Sequence, residues 1–179
     1  MGARLRMRLH FRECIELSNP DTTVVLGHHS GGRVLKYAWR GKDALFLSAE
    51  EANWRPDQPN ARRADTAGRF DIGPEQVIPK HEVLWSGEWT AEVIGPRAAR
   101  LISQPDAATG VLLVREFRLA ATGSHLACTQ IIKNISGETK EWCHWSRTFA
   151  QHGGIGVVPL SPGGRYPHSY VMYQPGPNS

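Results

Sequence analysis

Apolar residues fall in short runs, many alternating with polar ones at every second position and bounded by turn residues, a period that predicts strands. Residues 23–26 (Thr-Val-Val-Leu) stop at Gly27, residues 33–39 follow the Gly31-Gly32 turn, and residues 44–47 follow another at Gly41, so these three read as a meander. Further strands are expected at residues 75–79, 89–94 and 98–103. The clearest pair is residues 111–119 with 125–133, joined through Ala120-Ala121-Thr122-Gly123. In the first, Val111, Leu113, Phe117 and Leu119 share a face with Arg115; in the second, Leu126, Cys128 and Ile132 share one with Gln130. An Asn134-Ile135-Ser136-Gly137 turn then leads into residues 139–148, where Trp142 and His144 alternate against Cys143 and Trp145. A last full strand is expected at residues 156–160.

Residues 48–74 break the pattern: Pro56, Pro59, Gly68, Gly73 and Pro74 stand among polar residues, the signature of a long loop, and such loops commonly carry function. Only residues 50–54 and a few near Arg97 have helical character. Short strands joined by hairpin turns imply an all-β protein, an antiparallel β-sandwich. Residues 170–175 read as a strand beginning, so the domain is expected to be incomplete at its C-terminus or to have that edge covered by another molecule, self-association included.

Charge changes this picture little. Lys and Arg number 21 against 17 Asp and Glu, and the surplus is Arg4, Arg6, Arg8 and Arg12. The expected organisation is therefore a basic arm at 1–12 and one β-sandwich domain at 13–179. The body is charge-balanced, which argues against a nucleic-acid partner. No run reaches the length of a membrane span, and the N-terminus lacks the apolar core of a signal peptide. Three cysteines, Cys14, Cys128 and Cys143, cannot all pair with one another, so a reducing, cytoplasmic setting is expected.

Candidate chemistry concentrates in aromatic and polar clusters. Trp85 pairs in sequence with Trp89, and Trp142 with Trp145. Sugars offer flat C–H faces to indoles and hydroxyls to Arg, Asp, Glu and His, so Trp142-Cys143-His144-Trp145-Ser146-Arg147 carries the groups of a carbohydrate cleft; the same indoles could equally fill a core between sheets. The second cluster comprises Arg69, Asp71 and Glu75, followed by Lys80-His81-Glu82. It reads either as acid–base machinery on a site rim or as solvated loop ion pairs of small energetic value. No metal is expected: His28 and His29 are adjacent and point apart in a strand, Cys128, Cys143 and His144 lack zinc-ligand spacing, and His144 with His152 lacks a third ligand. No nucleotide-binding or nucleophile-elbow motif is present either, so no cofactor is expected.

Taken together, these segments resemble the galactose-mutarotase-like, or aldose 1-epimerase-like, superfamily, and within it the DUF4380 family. The resemblance is carried by Gly31-Gly32-Arg33-Val34, the 69–75 loop ahead of a Trp-bearing segment, and the run from Arg115 through Leu126, Asn134, Trp142, His144, Trp145 and Arg147 to Gly153-Gly154. It spans most of residues 13–173 and implies a two-sheet supersandwich binding sugars on a concave face without a cofactor. By position it further implies His144 as the candidate acid or sugar-binding histidine, with Arg69 and Arg147 holding hydroxyls; the reading of the residues themselves adds Asp71, Glu75, His81, Trp85, Trp142 and Trp145 as candidate substrate-binding groups. The family's catalytic glutamate is expected beyond residue 179. A sugar isomerase is thus the first expectation, a non-catalytic carbohydrate-binding module the second and a purely structural β-domain the third.

Overall fold

In a computed structural model the chain is described at residues 4–8, 11–52, 65–157 and 159. In chain order its elements are β1 (Arg4–Arg8), β2 (Phe11–Ser18), β3 (Thr22–Gly27), β4 (Arg33–Trp39), β5 (Lys42–Asp43), α1 (Ala49–Ala52), β6 (Asp71–Gly73), α2 (Glu82–Trp85), β7 (Thr90–Gly95), β8 (Ala98–Ile102), β9 (Val111–Leu119), β10 (Leu126–Asn134) and β11 (Cys143–Trp145). The first five strands form one sheet in sequence order, β7 to β10 form a second as a meander, and β11 pairs with β6 in a short ribbon. Every strand pairing among the described residues is antiparallel, and the protein is all-β and sandwich-like.

The core lies between the sheets. Ile15, Leu17, Val24, Leu26 and Val34 come from the first, and Ala99, Leu101, Val111, Leu113, Phe117 and Leu119 from the second; Phe70, Ile72, Leu84 and Trp89 belong to the same cluster. Alternation along β9 buries Val111, Leu113, Arg115, Phe117 and Leu119 together, the face its sequence predicts. Arg115 ties this sheet to the first by donating from Nη1 to the carbonyls of Gly32 (2.8 Å) and Gly68 (3.2 Å).

Gly32 sits at φ +58°, and a Cβ there would overlap the Trp89 ring, which is 1 % exposed. Gly32→Ala is therefore expected to destabilise the fold by more than about 1 kcal/mol, read as a lower urea midpoint at constant slope.

Several expectations are corrected. The basic stretch expected as an N-terminal arm includes β1, paired to β2. Residues 75–79 form no strand: Pro74 opens a turn whose carbonyl accepts from the N–H of Val77 and Ile78. Within 48–74, the described residues are not simply loop, since they include α1 and β6. The strand expected over 139–148 narrows to β11, because the chain leaves β10 after Asn134 and pairs with the three-residue β6. Residues near Arg97 are the hairpin turn between β7 and β8, and Gly156 and Val157 are not in a strand. Trp54, residues 158 and 160, and the strand expected at 170–175 lie outside the described residues.

Candidate functional site

The ribbon positions one cluster of polar and aromatic side chains. Asp71 pairs in register with Trp145, and the Arg69 N–H donates to the Arg147 carbonyl, so these four residues lie in two cross-strand pairs. Residues 70, 72 and 144 project from the opposite face, as the two-residue period of a strand requires. Phe70 and Ile72 there enter the core. Gly73 leaves room beside Cys143 and the Trp145 ring, where a side chain would crowd both.

Next to the ribbon, α2 delivers Trp85, and the turn before it delivers Glu75, Lys80 and His81. Together they bound a cavity of about 540 Å³ whose walls include Asp71, Glu75, His81, Trp85, Trp145 and Arg147. That is within the size range of small-molecule sites. The Trp85 ring carries the Arg69 guanidinium 3.6 Å from its centre and that of Arg147 at 5.0 Å. Arg69 is 2 % exposed and also donates from Nη2 to the Trp85 carbonyl, while its Nε and Nη1 have no partner. Burial pulls the Arg69 guanidinium down to about 9, so it stays protonated at neutral pH. Arg147 is only loosely paired, 3.9 Å from Glu75.

His81 is held between two acceptors. Its Nδ1 lies 2.7 Å from the Pro79 carbonyl and its Nε2 3.0 Å from Asp71 Oδ2. A neutral ring can donate to only one of them, so the arrangement favours the imidazolium. Burial lowers the His81 value, but the hydrogen bonds to Asp71 and the Pro79 carbonyl outweigh it and raise it above the ordinary histidine range. Asp71 Oδ1 is buried and has no partner. The cavity wall therefore joins a carboxylate held by an imidazole, a guanidinium and two indoles.

Of the residues singled out from sequence, Asp71, Glu75, His81, Trp85, Trp145 and Arg147 meet at this cavity, and Arg69 lies behind Trp85. His144 is not among the lining residues: it stacks on Phe70 with ring centres 5.2 Å apart, and its Nε2 lies 3.0 Å from Gln130 Oε1 on β10. Trp142 packs against the core and donates from Nε1 to the Thr109 carbonyl at 2.9 Å. Trp89 is core outright. Lys80 borders the cavity though the sequence reading gave it no substrate role, and its place beside His81 was the available signal. Among the described residues no three His, Cys, Asp or Glu side chains converge as a metal would require, and no helix is long and apolar enough to cross a membrane. Comparison with protein-family models, curated proteins and solved structures gave no match.

Proposed function

We propose that this cavity binds a carbohydrate and that the protein is a mutarotase-like sugar isomerase. The observation that carries the reading is the convergence of Trp85 and Trp145 with Asp71, His81 and Arg147 on one cavity of about 540 Å³. The Trp145 indole offers an apolar face for a pyranose ring, while the lining carboxylates and the Arg147 guanidinium offer hydrogen bonds to its hydroxyls; the Trp85 ring, which carries Arg69, shapes the wall. Anomerisation needs a base to remove the anomeric hydroxyl proton and an acid to protonate the ring oxygen as its bond to the anomeric carbon breaks. The Asp71 carboxylate, on the cavity wall, is assigned the first task. His81 commits both ring nitrogens to Asp71 and the Pro79 carbonyl and so positions that carboxylate, and the proton for the second step comes from solvent. The acid role that the resemblance implied for His144 is not proposed for this cavity, because His144 is not among its lining residues.

The test is saturation-transfer NMR with glucose, galactose, mannose and glucuronate, together with anomerisation followed by polarimetry. Saturable binding that is lost in Trp145→Ala, with acceleration over buffer, is the expected result. Binding without acceleration replaces the isomerase by a carbohydrate-binding module. Neither signal for any of these sugars removes the carbohydrate reading and leaves a structural β-domain.

A further inference from the structure

Arg115 raises a question that the sugar-binding cavity does not answer. It is only 4 % exposed, and its Nη1 is satisfied by the Gly32 and Gly68 carbonyls. Its Nε has no partner, and its Nη2 points at the Cys128 sulfur across a long 3.9 Å contact. Burial pulls the guanidinium below the ordinary arginine value, and Cys128 is the group that opposes this. A buried cation without an anion is costly, and here two of its N–H groups lack a good acceptor.

Cys128 itself is exposed on β10, the edge strand of its sheet, paired with Phe117 of β9. Reagents in solution can therefore reach the sulfur from one side while Arg115 stands on the other.

We propose that Cys128 is a site of oxidation by hydroperoxides, with Arg115 receiving the oxygen placed on sulfur. The sulfur attacks the terminal peroxide oxygen and an S–O bond forms as the O–O bond breaks. Sulfur loses two electrons and the peroxide gains them. The thiol proton passes to the departing alkoxide or hydroxide, giving sulfenic acid plus an alcohol or water. Rotation about the Cβ–Sγ bond then turns the new oxygen toward Nη2 and brings an acceptor into hydrogen-bond range. A further oxidation yields a sulfinate, an anion facing the buried cation.

The other two cysteines are internal references. Cys143 is also exposed but packs beside Gly73 rather than a guanidinium. Cys14 is buried, and burial pushes its thiol up to about 12. The experiment treats the whole chain with hydrogen peroxide, traps sulfenic acid with dimedone, and quantifies each cysteine by peptide mass spectrometry. Expected is a preference for Cys128 over Cys143 of about tenfold, the rate equivalent of one charge-assisted hydrogen bond, with Cys14 unlabelled. In concentrated urea, which removes Arg115 from the sulfur, the preference is expected to vanish. Equal labelling in the folded chain, or a preference that persists in urea, overturns the proposal. Folded Arg115→Met that keeps the preference overturns it too, and where that variant does not fold the urea comparison decides alone.

Discussion

Glu51→Ala is expected to lower the unfolding free energy by about 3–5 kcal/mol, the usual cost of stranding one member of a buried ion pair. Arg33 is 1 % exposed, and its Nη1 lies 2.6 Å from Glu51 Oε2. The same guanidinium also donates to the Ser30 carbonyl and the Thr66 carbonyl. Glu51 in turn accepts from the backbone N–H and the hydroxyl of Thr66, so it joins α1 to the chain entering the ribbon. Alanine leaves the guanidinium with neutral acceptors only, the Ser30 and Thr66 carbonyls and the Ser30 hydroxyl. Glutamine is not an adequate substitute, since every neighbour is a donor and half of its amide would face one. The check is urea unfolding at neutral pH, with a lower midpoint at unchanged slope. Acid gives the sign test. Burial raises the Glu51 carboxyl, but the Thr66 and Arg33 hydrogen bonds outweigh it and hold the value below the ordinary glutamate range. A depressed folded value means the contribution is present above the unfolded-state value and disappears as pH falls through the folded one. The wild type and Glu51→Ala should therefore converge in stability at low pH. A midpoint unchanged at neutral pH would show that the pair contributes nothing net.

How much of this could be read from sequence depends on whether local patterning or distant pairing decided the outcome. The β9–β10 hairpin was legible because alternation and a turn ending in Gly123, at φ +73°, point to the same register, Leu119 opposite Leu126. The stretch after Asn134 was not. Its composition suits a strand throughout, but a strand extends only as far as its partner, and β6 offers three residues. Likewise α2 is four residues long, too short for a helical period to register, yet it places Trp85 in the cavity wall. Val77 and Ile78 looked like strand residues, and a turn anchored on the Pro74 carbonyl overrode that preference. That polar side chains of 69–81 would gather was legible because they stand close together in sequence and near Trp85. That His144 would leave this cluster was also written in the alternation: His144 and Trp145 are consecutive in a strand and cannot face the same cavity. The resemblance to sugar epimerases weighted His144 for its neighbours in sequence, whereas the sheet pairing selects Trp145 and Arg147 through their partners Asp71 and Arg69.

Asp71→Asn should separate binding from catalysis most sharply if the cavity is an acid–base site. The amide keeps the shape of the carboxylate and can still contact a sugar hydroxyl, so ligand affinity should change only modestly. Removal of its basicity should lower the anomerisation rate by about 10²–10⁴-fold, the usual contribution of a positioned proton acceptor. Loss of binding and rate together would make Asp71 a binding residue, and an unchanged rate would remove it from the mechanism. The same substitution has a pH signature in stability. His81 gains its raised value largely from Asp71, so the pair's contribution is fully present below the unfolded histidine value and is lost as pH rises through the higher folded one. Asparagine cancels that dependence by taking away the anion. The stability gap between wild type and Asp71→Asn should thus be widest on the acid side of that window, while carboxylates elsewhere remain ionised, and narrow towards alkaline pH. Measured by urea unfolding across this range, the narrowing would identify the His81–Asp71 bond as an ion pair. A gap constant with pH would mean that the imidazole is neutral where it stands.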